Sequence, residues 1–215
     1  MYLYNIHTHK FDAAQAADYQ VKCILNTYPE DFYARKSLFP DSWFSCGIHP
    51  WNAIDANMEQ MIKILSEPNV VAVGEVGLDK LKGPELSVQI KVFRQQIELA
   101  TQKGKPLIIH CVRAWGELIA LYKEYNKYSI PWIIHGYRGN PEQTQQLGKI
   151  GFKFSLGEKF NVDSLKHIPM ENIFCETDMS DLTICKVYEN ISRDIGVDKN
   201  HFATLVARNV EITFR

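Results

Sequence analysis

The sequence predicts a parallel (β/α)8 TIM barrel, organised as a single domain over residues 1–215. Three observations lead there. Eight short apolar segments alternate with helical ones, no composition break interrupts the chain, and residues able to do acid–base or metal chemistry recur where the apolar segments end. An open doubly wound sheet would share the alternation, but no Gly-x-Gly-x-x-Gly follows any strand.

The first strand, over 2–6, is an apolar run that delivers His7 and His9 in His-Thr-His spacing. Side chains alternate with period two, so both imidazoles leave the strand end on the same side. Residues 11–19 read as a short helical stretch at best. A buried strand over 21–27 stops at Tyr28-Pro29. Weakly helical residues to Leu38 lead to Pro40, and a third strand over 43–48 runs into Gly47-Ile48-His49-Pro50-Trp51. Over 55–67, Met58, Met61, Ile62 and Leu65 make one apolar stripe stopped by Pro68, the pattern of an amphipathic helix. Strand four, 70–73, emerges into Gly74-Glu75-Val76-Gly77-Leu78-Asp79. Pro84 opens the next helix, Ile90, Phe93, Ile97 and Ala100 line one face, and Gly104 caps its end. Strand five over 106–109 ends on His110; after a helix over 115–125, strand six over 130–134 ends on His135. A helix over 141–150, strand seven over 152–156 and a helical turn over 162–167 precede strand eight, 172–175, which leads into Glu176-Thr177-Asp178. Helices over 184–195 and 201–212 close the chain.

Composition narrows the function. With 215 residues, 46% hydrophobic, the chain can bury a core without staples. A net charge of −1 and a pI near 6.7 exclude the broad basic footprint of a strong nucleic-acid binder, so any polyanion must be met locally. The five cysteines lack Cys-x-x-Cys spacing and lie mostly in apolar runs, as reduced buried thiols do. No basic leader and no apolar run of about 18 residues is present, so a cytoplasmic protein without membrane contact is expected, with a monomer as the default.

His7, His9, His49, Glu75, His110, His135 and Asp178 all fall at or just past strand ends, which on a barrel converge at one rim. Ligating groups at apolar strand ends are costly unless they serve one another or a metal. His167 and His201, at a helix end and a helix start, read as surface residues.

The motifs His7-Thr8-His9, Gly47-Ile48-His49-Pro50, Gly74-Glu75-Val76-Gly77-Leu78-Asp79, Ile109-His110-Cys111-Val112-Arg113, His135-Gly136-Tyr137-Arg138-Gly139 and Glu176-Thr177-Asp178, in this order along nearly the whole chain, resemble the TatD-type metal-dependent hydrolases. The resemblance implies a TIM barrel with two, in some members three, divalent cations and phosphodiesterase or deoxyribonuclease activity, often exonucleolytic. It implies His7, His9 and Asp178 on one metal, His110 and His135 on the second, and Glu75 bridging. Two metals so held would lower the pKa of a shared water and neutralise charge in an in-line displacement at phosphorus. Asp178, with a second oxygen to face that water, is the candidate general base. Mixed imidazole and carboxylate donors suit Zn, Mn or Fe, and Mg less well. His49 is expected to contact phosphate or leaving group rather than metal, with a structural histidine as the alternative. Arg113 and Arg138 are candidate phosphate contacts, Arg113 being equally suited to a helix-face salt bridge. Asp79 either orients a ligand or caps its loop.

Compared with the usual family pattern, the chain is shorter between His9 and His49 and after Asp178, and Tyr137-Arg138 adds charge at the mouth. The expected substrates are therefore DNA ends, oligonucleotides or small phosphodiesters. Two other classes fit the same cradle: an amidohydrolase-type hydrolase of a carbonyl or amide substrate, and a non-catalytic metal-binding barrel. The first often bridges its metals with a carbamylated lysine, whereas here strand four supplies Glu75. The second would be favoured by a missing ligand, and none is missing.

Overall fold

In the computed structural model, which describes residues 2–10, 20–125, 127 and 130–214, the apolar segments form eight parallel strands joined in chain order. They are β1 (Tyr2–Thr8), β2 (Gln20–Thr27), β3 (Trp43–Cys46), β4 (Val70–Asp79), β5 (Leu107–Val112), β6 (Trp132–Ile134), β7 (Lys153–Leu156) and β8 (Ile173–Cys175). An isolated parallel bridge between Thr8 and Asp178 returns the last strand to the first, so the fold is the (β/α)8 barrel. The helices are α1 (Phe32–Leu38), α2 (Met58–Ile64), α3 (Leu86–Lys103), α4 (Trp115–Tyr125), α5 (Pro141–Ile150), α6 (Val162–Leu165), α7 (Ile184–Ile195) and α8 (Lys199–Thr213). The helical reading of 11–19 lies outside the described residues.

Most boundaries match the hydrophobic periods, and the departures have physical causes. β4 runs to Asp79, well past the expected end at Val73, because its glycine-rich tip still pairs with β5: Gly77 lies opposite His110 and Asp79 opposite Val112. Gly77 has φ of 138°, and a Cβ there would strike the His110 carbonyl, so only glycine lets the strands approach this closely. Glu75 is thus inside a strand, and His110 inside β5, rather than just past their ends. β3 stops at Cys46, and residues Pro50–Asp55 form a 3-10 helix instead of joining α2. Asn57 starts α2 because its side chain accepts the Gln60 amide.

The chain divides into two compact units, one of Met1–Leu25 with Ile133–Arg215 and one of Asn26–Trp132. In the first, α7 buries Ile184, Val187, Tyr188 and Ile191, the i, i+3, i+4, i+7 stripe of a core-facing helix. The Tyr188 hydroxyl donates to the Tyr4 carbonyl and accepts the Tyr4 amide, fastening this helix to β1. Asn209 of α8 donates to the carbonyls of Met170 and Ile173 and so fixes the entry to β8.

In the second unit, α3 does more than fill the core with Phe93, Ile97 and Ala100. Buried Gln96 accepts the Ile48 amide at 2.7 Å and donates to the Ile48 carbonyl at 3.0 Å, as a neighbouring strand would. Two turns earlier Gln89 accepts the Asp79 amide and donates to the Asp79 carbonyl. One helix thereby sets the exits of β3 and β4. Gln96→Leu keeps the volume but strands a buried N–H and C=O, so a loss of about 2–4 kcal/mol is expected. The check is urea unfolding, where the midpoint should fall with the slope unchanged.

Cys46 and Cys175 are buried, the other three cysteines are half-buried, and all are free. Burial pushes the thiol of Cys23 up to about 11 and those of Cys46 and Cys111 up to about 12, consistent with unreactive thiols. Among the described residues, no helix is long and apolar enough to cross a membrane.

Candidate metal centre

In the first unit, β1 brings His7 and His9 to one carboxylate oxygen. His7 Nε2 lies 3.7 Å and His9 Nε2 3.6 Å from Asp178 Oδ1. Those separations are too long for good hydrogen bonds. They are close to the edge, about 3.4 Å, of a tetrahedron whose bonds are about 2.0–2.1 Å, so the donors suit a shared cation. Both imidazoles therefore leave β1 toward one partner, as their spacing predicts. The His135 ring is 4.4 Å from that of His7.

Asp178 is held by its backbone. Its amide donates to the His7 carbonyl at 2.9 Å, its carbonyl accepts the His9 amide at 3.3 Å, and its φ of 53° is left-handed, a conformation aspartate tolerates better than most residues. Asn5 supports the same tip: its side chain donates to Thr177 Oγ1 and accepts the Thr177 amide. Glu176, first residue of the Glu-Thr-Asp run, has a role that the sequence does not reveal. It is fully buried, accepts the Gly136 amide at 2.7 Å, and sits 3.4 Å from His135 Nδ1. Burial raises its carboxyl above the usual range, and the contact with His135 offsets only part of the rise.

In the second unit, Glu75 is buried and its Oε1 meets both His110 Nδ1 at 2.9 Å and His49 Nε2 at 3.2 Å. The far nitrogen of His110 lies 3.1 Å from Asp79 Oδ2, the carboxylate–imidazole pairing that orients metal-ligating histidines. Both oxygens of the Asp79 carboxylate are engaged. Besides holding His110, it accepts the amides of Leu81 and Lys82 on Oδ1 and so closes its loop. Burial opposes its charge, but hydrogen bonds from the Trp51 indole, the Leu81 amide and His110 outweigh this and hold its carboxyl below the usual range.

His49, Glu75 and His110 offer donor atoms within 4.8 Å of one another, enough in distance for a cation. The His49 Nδ1 accepts the Trp51 amide at 3.2 Å, so in the neutral ring the proton sits on Nε2, which faces Glu75 Oε1.

A cavity of about 340 Å³ opens beside Asp178, lined in part by Arg138, Lys159, Glu176 and Met179, and Ser180 donates to Glu158 at its edge. Arg138 is exposed on this wall. Arg113 is exposed in the turn after β5, with φ of 53°, and no ion pair among the described residues engages it. Lys80, which follows Asp79, is paired with Glu117 at 2.7 Å. His201 is exposed, and His167 is half-buried beside Gln145.

Parallel barrel strands that end in paired imidazoles and carboxylates define a metal-binding class of barrel. The chain belongs to the TatD family: the model described as TatD related DNase matches residues 7–215. It is 36% identical over 149 residues to the uncharacterized metal-dependent hydrolase YabD of Bacillus subtilis, covering 64% of this chain and 58% of that protein. It is 30% identical over 155 residues to the 3'-5' ssDNA/RNA exonuclease TatD of Edwardsiella piscicida, covering 65% and 59%. Among solved structures, the TatD homologue YJJV of Escherichia coli superposes with a TM-score of 0.86 at 21% identity, over 99% of this chain and 97% of that one. The chain spans a little over half the length of the curated relatives it matches.

Proposed function

We propose that this chain is a divalent-metal-dependent phosphodiesterase that acts on DNA ends, oligonucleotides or small phosphodiesters. The observation that carries this reading is the donor chemistry: each unit presents its own imidazole–carboxylate cluster. Family membership adds the class of reaction. His7, His9 and Asp178 would hold one cation and His110 and His135 a second, with Glu75 the carboxylate shared by both. Zinc or manganese suits these donors better than magnesium. When bound, such cations acidify water and neutralise charge on the oxygens of a reacting phosphate.

The remaining work falls to side chains. Asp178, a half-exposed carboxylate on a fixed backbone, accepts the proton of the attacking water. The His49 Nε2–H, which faces Glu75 Oε1 at 3.2 Å, would turn to a phosphate or leaving-group oxygen when that carboxylate is engaged by a cation. Asp79 and Glu176 are positioning residues that orient His110 and His135. Arg138 and Arg113 supply charge for non-bridging oxygens.

Substrate length follows from charge and space. The cavity beside Asp178 lies at the lower end of the range for small-ligand pockets, about 300–1,000 Å³, and suits one nucleotide unit. With 24 Lys and Arg against 25 Asp and Glu, the chain has no net excess of positive charge with which to track a backbone. Initial rates on a dinucleotide, an end-accessible oligonucleotide and a closed circular duplex test this, with the salt dependence of binding measured alongside. The first two should be cut in preference, with a shallow salt slope. Efficient cleavage of closed circles, or a slope equivalent to about six or more phosphate contacts, would refute it.

A further inference from the structure

Trp51 is 44% exposed, yet every part of it is tied down. Its indole N–H donates to Asp79 Oδ2 at 2.7 Å, its amide donates to His49 Nδ1, and its ring meets the His49 ring edge-on at 4.6 Å. Gly83, with φ of 87°, lets the next loop pass against the Trp51 backbone where a Cβ would clash. An indole with a fixed orientation and an exposed surface is a preorganised stacking platform. It stands beside the His49–Glu75–His110 cluster, 6.0 Å from the His110 ring. Lys82 Nζ rests 4.5 Å over its ring, and Leu81 and Ile54 present further exposed apolar surface in the same two segments.

We propose that Trp51 stacks a nucleobase of the substrate, with Lys82 leaving the ring to pair with a phosphate as the base arrives. The exchange is favourable because an exposed lysine–indole contact is weaker than base–indole stacking. Stacking is tolerant of sequence, since every base has a π-face, so Trp51 would select nucleotides over other phosphodiesters without selecting among bases. This deepens the phosphodiesterase reading and rests on it for the adjacency of base and scissile bond.

The competing role is purely positional, with the indole N–H holding Asp79 and through it His110. Two variants separate the roles: Trp51→Phe keeps an aromatic face but loses the N–H, and Trp51→Leu loses both. The first readout is kcat/KM on a short oligonucleotide relative to the same backbone with an abasic residue at the terminal position. That ratio should fall about tenfold in Trp51→Leu and stay within about twofold of the parent in Trp51→Phe. An unchanged ratio in Trp51→Leu, or an equal fall in both variants, overturns the proposal. The second readout needs no turnover: calorimetric affinity for thymidine 5'-monophosphate against deoxyribose 5-phosphate. A preference for the nucleotide that Trp51→Leu removes and Trp51→Phe retains supports stacking even if no phosphodiester is hydrolysed, in which case only the hydrolase reading fails. Equal affinity for the two ligands in the parent protein overturns stacking itself.

Discussion

Glu75→Ala is expected to lose bound divalent metal and hydrolysis together. The Glu75 carboxylate is buried on β4, with His110 and His49 directed at one of its oxygens, and alanine leaves those imidazoles facing each other without the anion between them. If Glu75 is shared by two cations, both sites lose a ligand in one substitution, so metal content measured by elemental analysis should drop along with the rate. Because the strand is paired on both sides, folding should survive, and circular dichroism makes that control. Full activity in this variant would remove the two-cation mechanism.

Asp178→Asn separates metal binding from proton transfer. Asparagine keeps an oxygen that can face the His7 and His9 nitrogens, and it tolerates the left-handed backbone of this position as aspartate does. It cannot accept the proton. Most metal should therefore remain while kcat falls by about 10²-fold or more, with KM little changed. An unaltered kcat would move the general base elsewhere. Asp178→Ala is a poorer probe, since it also strains a backbone at φ of 53°.

The barrel was legible because buried parallel strands read as continuous apolar runs, and several helices announce their own ends. Pro141 and Gly151 bracket α5, and Gly104 closes α3 in the left-handed conformation. What composition hid was the continuation of β4 through Gly74 and Gly77, where inter-strand hydrogen bonds outweigh the low strand propensity of glycine. The His-Thr-His pair was legible because period two places both rings on one side, and Asp178 Oδ1 meets both. Glu176, Gln89 and Gln96 were not legible as supports. Their roles depend on partners 41, 10 and 48 residues away, which no local pattern encodes. The resemblance sets His49 apart from the expected metal ligands, and the Trp51 amide, which donates to its Nδ1, adds a tautomer preference that no sequence pattern carries.

The most direct test of the two-cation site is to strip the protein of metal and return divalent cation stepwise. Bound equivalents and the initial rate on an end-accessible oligonucleotide are read from the same samples. A shared pair of sites predicts a rate near background through the first equivalent, rising with the second and level beyond two. Full rate at one bound equivalent, or a rate independent of added metal, would contradict it.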